Sequence, residues 1–101
     1  MKMIEIKDDT DPMISDANRQ RFILVVEDEE NLRQIIQSVL ENESYKVITA
    51  ETAREGIDLY KADKQLIEMV ILDFNLPDAN GLSVLRELQQ ENASVKVLLT
   101  S

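Results

Sequence analysis

The sequence predicts an α/β domain built on a doubly wound parallel sheet. Three observations carry that prediction. Short apolar runs without alternation, above all Phe22-Ile23-Leu24-Val25-Val26 and Met69-Val70-Ile71-Leu72, read as strands buried on both faces. Segments of helical period separate the runs. The resulting βαβαβαβ order, free of internal repeats and low-complexity tracts, calls for parallel strands joined by right-handed crossovers.

The elements follow in order. Residues 1–20 are weakly hydrophobic and carry Asp8, Asp9, Asp11, Pro12 and Asp16. The alternation Met3-Ile4-Glu5-Ile6 is compatible with an extra strand, but this composition is expected to form a mobile acidic lead. The ordered domain is expected to span 21–101. Its first strand is Phe22 to Val26. Leu32, Ile35, Ile36, Val39 and Leu40 then form the i, i+3, i+4, i+7, i+8 stripe of an amphipathic helix, with Glu29 and Glu30 where the helix dipole favours negative charge. Tyr45 to Ala50 alternates more and reads as an outer strand. Thr52-Ala53-Arg54-Glu55 fits a capping box opening a second helix. Inside that helix Gly56 costs roughly 1 kcal/mol relative to alanine, so it marks either close packing on a strand or a tolerated surface position. The third strand runs Met69 to Leu72 and ends at Asp73. Asn75 to Gly81 form a loop, Leu82, Leu85 and Leu88 line a third helix, and Val95 to Leu99 form a fourth strand ending at Thr100-Ser101.

Composition narrows the function. The chain has 101 residues, 44% of them hydrophobic, enough for one small domain. Twenty acidic residues against 11 basic give a net charge of −9, which argues against a nucleic-acid groove. Neither cysteine nor histidine is present, which removes disulfides, thiolate metal sites, most zinc sites and histidine-based acid/base catalysis. No segment reads as a secretory signal or approaches the ~20 apolar residues of a membrane span. A cytoplasmic protein without a membrane partner is expected.

In open α/β sheets, ligands bind beyond the carboxyl ends of the strands. Glu27, Asp28 and Asp73 each follow an apolar run and should converge at that edge, with Thr100 beside them. Three carboxylates brought together repel unless a cation sits among them or their pKa values rise. A hard divalent metal answers this, and Mg²⁺ fits because it takes few carboxylates and bridges to phosphate oxygens. A hydroxyl at Thr100 is suited to hydrogen-bond a phosphoryl oxygen. A capping role for Asp73 is the competing explanation, and it leaves the coincidence of four such residues unaccounted for.

These residues carry a family resemblance. Val25-Val26-Glu27-Asp28-Glu29, Ile71-Leu72-Asp73-Phe74-Asn75-Leu76-Pro77-Asp78-Ala79-Asn80-Gly81 and Val97-Leu98-Leu99-Thr100-Ser101, in this order and spacing, resemble the receiver domain of two-component response regulators. The likeness covers Arg21 to Ser101. It implies a flavodoxin-like fold with strand order 2-1-3-4. It implies that Asp73 accepts a phosphoryl group from a histidine kinase or phosphotransfer protein, and that Thr100 hydrogen-bonds that group and switches. Mg²⁺ would be held by Asp28, Asp73 and the backbone carbonyl of Asn75, with Glu27, in place of the commoner aspartate, acting through a water. Such a protein is a phosphoacceptor and not a turnover enzyme. The exposed face of the first helix, including Asn31, Gln34 and Ser38, would meet the kinase. The family fold continues through a further helix, a fifth strand with a lysine that pairs with the phosphoryl group, and a last helix. The domain is therefore expected to be C-terminally incomplete here, and Lys96, at the opposite end of its strand from Thr100, does not replace that lysine. An open fourth strand predicts a homodimer or strand-exchanged oligomer. The alternative function is a receiver-like module that binds a kinase or another receiver without being phosphorylated. Two other likenesses fail on residues: Pro77 and Gly81 fall at the wrong offsets for an EF-hand loop, and haloacid-dehalogenase-type phosphatases want a second aspartate where Asn75 stands.

Overall fold

The computed structural model describes residues 21–100. The acidic lead and its Met3–Ile6 alternation, and Ser101, lie outside the described residues. Seven elements follow in strict alternation: β1 (Phe22–Val26), α1 (Glu30–Asn42), β2 (Lys46–Ala50), α2 (Ala53–Asp63), β3 (Ile67–Asp73), α3 (Gly81–Glu91) and β4 (Val97–Thr100). The strands form one parallel sheet of order β2-β1-β3-β4, as the resemblance implies.

The continuous apolar runs are central because each side of the sheet has its own core. On one side Leu24, Val26, Val70 and Leu72 pack with Ala53, Ile57 and Tyr60 of α2 and Val84 and Leu88 of α3. On the other, Ile23, Val25 and Ile71 pack with Ile36 and Leu40 of α1. Strand side chains alternate between faces, so every residue of such a run needs a helix opposite it. Gly56 resolves to close packing: a Cβ there would stand 2.7 Å from Val26 Cγ2.

Several boundaries and faces differ from the sequence expectation. β3 begins two residues before Met69, because Ile67 is buried and its pairing with Phe22 is followed by a register shift. β4 begins at Val97 instead of Val95, and β2 at Lys46 instead of Tyr45. On α1 only Ile36 and Leu40 of the expected stripe are buried, while Ile35 is 57% exposed and Val39 is also exposed. One helix alone covers this side among the described residues, so only the centre of its stripe meets the sheet. On α3 the core residues are Val84 and Leu88, with Leu82 50% exposed and Leu85 half-buried. A helix starting at Gly81 turns Val84 inward and Leu82 outward, a rotation that three leucines at similar spacing do not define.

Caps fix the helix ends. Thr52 Oγ1 accepts from the Glu55 N–H at 3.1 Å, as a capping box requires, but Glu55 reaches back to the N–H of Glu51 at 2.9 Å instead of to Thr52. The first two amides of α2 donate to Asp78 from the loop after β3, at 2.9 and 3.0 Å. That contact joins α2 to the loop carrying Asn75. The same loop buries Leu76 in the α2–α3 core.

Candidate phosphoacceptor and metal site

The sheet register brings the acidic residues to one edge. Val26 pairs with Ala50 and with Leu72, and Leu72 with Leu99, which makes one row across all four strands. Glu27, just past the end of β1, and Asp73, the last residue of β3, come next, and Asp73 pairs with Thr100. The Glu27 N–H donates to the Ala50 carbonyl at 3.0 Å and the Phe74 N–H to the Thr100 carbonyl at 2.7 Å, so the ladder holds this row to its end.

Carboxylate oxygens of Glu27, Asp28 and Asp73 all lie within 4.8 Å of one another. Glu27 and Asp73 are buried, at 4% and 8% exposure, and Asp28 is exposed, so the group opens to solvent on one side. Two short-range hydrogen bonds shape it: the Glu29 N–H donates to Glu27 Oε2 at 3.1 Å and the Asn75 N–H to Asp73 Oδ1 at 3.0 Å. Asn75 is further held by a bridge to Asn80, and the Gly81 N–H closes the loop onto the Phe74 carbonyl at 2.8 Å. Thr100, half-buried, stands beside Asp73 on the neighbouring strand.

Burial pushes the Glu27 carboxyl up from its ordinary 4.5 to about 7. The Glu29 amide opposes the rise, while the charge and hydrogen bonding of Asp73, and the charge of Asp28, add to it. A protein fold rarely holds like charges this close without a partner for them. The donor set is all hard oxygen, and a site open on one side leaves room for waters. Both properties fit a small divalent cation such as Mg²⁺.

Arg33 escaped the sequence reading. From the first turns of α1 its Nη1 donates to the Glu27 carbonyl at 2.9 Å and to the Asp28 carbonyl at 3.4 Å, and its Nη2 lies 3.7 Å from Glu51 at the end of β2. No motif marks it, because its partners are backbone carbonyls. The only hint is its offset of six from Glu27, which puts it over the same strand end. Lys96 lies where expected, its carbonyl receiving the Val70 N–H at the start of β4, away from Thr100.

Comparison with known proteins agrees with this architecture. The family described as response regulator receiver domain matches residues 23–101. The response regulator ArlR of Staphylococcus aureus is 35% identical over 79 residues, covering 78% of this chain and 35% of ArlR, so the chain spans about a third of the length of the curated relatives it matches. Among solved structures, a receiver domain protein from Clostridium thermocellum has a TM-score of 0.76 at 30% identity, over 78% of this chain and 63% of that one. The response regulator TrrA of Thermotoga maritima is 35% identical, with coverage of 78% and 67% and a TM-score of 0.69, in a complex with Mg²⁺ and a beryllium fluoride. TrrA has also been solved in complex with the histidine kinase ThkA, with a TM-score of 0.68 at 35% identity over 78% of this chain and 66% of that one. Among the described residues no helix is long and apolar enough to cross a membrane. With the β2-β1-β3-β4 sheet, the acidic trio at its edge and these matches in agreement, the chain belongs to the receiver domain family of two-component response regulators.

Proposed function

We propose that this domain is a phosphoacceptor in a two-component phosphorelay, receiving a phosphoryl group on Asp73 from a histidine kinase or phosphotransfer protein. The observation that carries this reading is the convergence of Asp73 with Glu27 and Asp28 on one side and Thr100 on the other. A carboxylate oxygen of Asp73 attacks phosphorus. The phosphorus–nitrogen bond of the donor phosphohistidine breaks, the imidazole leaves with the electron pair and takes up a proton, and Asp73 becomes an acyl phosphate. The Asn75 amide on Asp73 Oδ1 orients the carboxylate, leaving its other oxygen for attack. The Thr100 hydroxyl donates to a phosphoryl oxygen and follows it when the domain switches. Asp28, Asp73 and the Asn75 carbonyl would hold Mg²⁺, with Glu27 reaching it through a water, and the bound ion would supply charge neutralisation for the phosphoryl oxygens. Catalysis of this kind is positioning and charge compensation, and it ends with one transfer per site.

Asn31, Gln34 and Ser38 of α1 are exposed, which supports a kinase-facing role for that helix. One observation favours a second reading, a module that binds a kinase or another receiver without being modified: no lysine or arginine among the described residues forms an ion pair with Asp73. Acetyl phosphate with Mg²⁺, followed by intact-mass measurement, separates the two. The phosphoacceptor gains one phosphoryl group, and Asp73→Asn gains none because an amide is not a competent nucleophile. Equal modification of wild type and Asp73→Asn removes Asp73 from the role, and no modification of either leaves the binding module.

A further inference from the structure

We propose that Arg33 is a positioning residue for this site: its guanidinium clamps the turn after β1 so that the Glu27 and Asp28 carboxylates face Asp73. The inference rests on the metal-binding reading above. Three groups converge on one side chain. Nη1 donates to two successive carbonyls, Glu27 at 2.9 Å and Asp28 at 3.4 Å, and Nη2 reaches the Glu51 carboxylate at 3.7 Å. The Arg33 side chain is only 12% exposed, so its contacts are shielded, whereas Glu51 is 70% exposed and anchors it weakly. The peptide planes of Glu27 and Asp28 set where their side chains leave the backbone. Fixing the two carbonyls therefore fixes two of the three carboxylates of the site. A planar guanidinium suits this task because its donors diverge at fixed angles, which an ammonium does not reproduce. The Glu29 amide already ties Glu27 Oε2 into the same turn, and Arg33 holds the turn from its opposite, carbonyl side.

A simpler role competes with this one. Arg33 is a cation on the turn that carries two of the three carboxylates, and a plain counterion role would need no positioning. The two roles differ in sign. Removing a counterion leaves the site more negative and tightens binding of a divalent cation. Removing a clamp loosens the ligands and weakens binding, typically by tenfold or more for a group that orients metal ligands.

The test is calorimetric titration of the 101-residue chain with Mg²⁺, with wild type beside Arg33→Gln, Arg33→Lys and the charge control Arg21→Gln, whose guanidinium lies 3.9 Å from Glu68 at the opposite end of the sheet. Each protein is also measured without metal, by ¹⁵N relaxation at the Asp28 and Glu29 amides. Positioning predicts a Kd for Mg²⁺ raised about tenfold in Arg33→Gln, a rise in Arg33→Lys despite its retained charge, and more mobile amides in both. Arg21→Gln should stay within about twofold of wild type, since the charge it removes lies at the far end of the sheet and is screened. A tighter Kd in Arg33→Gln, or an unchanged Kd in both Arg33 variants with unchanged amide mobility, overturns the inference. If Arg33→Gln does not fold, Arg33→Lys decides by the same criteria. Should wild type itself bind no Mg²⁺, the metal-binding reading fails, and Arg33 stands or falls on the metal-free amide mobility alone.

Discussion

Glu27 is where the energetic cost of the acidic edge concentrates. Its pKa of about 7 means that, between roughly pH 4.5 and 7, the folded chain keeps a proton that the unfolded chain has released. Stability without metal should thus be highest below that window and fall as pH rises through it, by an amount on the order of 2–3 kcal/mol. The chain has no histidine or cysteine to titrate in the same interval, which makes the measurement clean. Chemical denaturation from pH 5 to 8 should show the decline in wild type and a nearly flat profile in Glu27→Gln. A decline of equal size in both would remove Glu27 as its source. Asp78 works in the opposite direction. The Ala53 and Arg54 amides hold its carboxyl below the usual carboxylate value, so its contribution is present above about pH 4 and lost below it. Carboxylates after strand ends were legible in the sequence as the makings of this site. Which of them would be buried was not, because burial depends on how far Asp28 swings out past the row shared by Glu27 and Asp73.

At the level of elements, two helix positions make opposite predictions. α1 ends with Ser44 at φ 74°, its N–H donating to the Glu41 carbonyl at 2.9 Å and the Tyr45 N–H to the Leu40 carbonyl at 3.0 Å. This is the left-handed helix terminus that glycine favours, occupied by a residue with a Cβ. Ser44→Gly should stabilise the domain by about 0.5–1 kcal/mol, seen as a rise in Tm of several degrees. Gly56→Ala should do the reverse. Alanine gains about 1 kcal/mol in helix propensity, but its Cβ meets Val26, a buried β-branched side chain in a central strand with little room to yield. Overpacking of this kind costs typically about 1–3 kcal/mol, so a net loss of about 1–2 kcal/mol is expected. A Tm for Gly56→Ala at or above wild type would show that α2 shifts outward freely. Thr52 and Glu55 announced the start of α2 in the sequence. The end of α1 carried no such announcement, since Asn42-Glu43-Ser44 lacks the glycine by which such ends are usually read.

At the scale of the whole molecule, the prediction concerns the sheet edge at β4. Among the described residues β4 pairs with β3 alone, Leu99 is 37% exposed, and Val95, Val97 and Leu98 are half-buried. An open apolar strand invites pairing with another chain. The 101-residue polypeptide is therefore predicted to form a dimer or strand-exchanged oligomer, or to melt as a marginal monomer. Light scattering and thermal melts check this, and a monodisperse monomer melting cooperatively above about 65 °C, beyond the usual mesophile range, would contradict it.

What the sequence determined by itself was the order of elements, the parallel sheet and the edge at which Glu27, Asp28, Asp73 and Thr100 gather. These follow from local periodicity and from the rule that successive strands in a βαβ chain point the same way, so residues after strands share one side. The tertiary structure alone decided how far each helix is rotated onto the sheet, exposing Ile35 and Leu82 while burying Val84, and how the loop after β3 buries Leu76. It alone also decided that Arg33 and Asp78 brace the turns around the site. Both side chains bond to main-chain groups, which every residue possesses, so neither contact selects a partner residue type that a sequence could display.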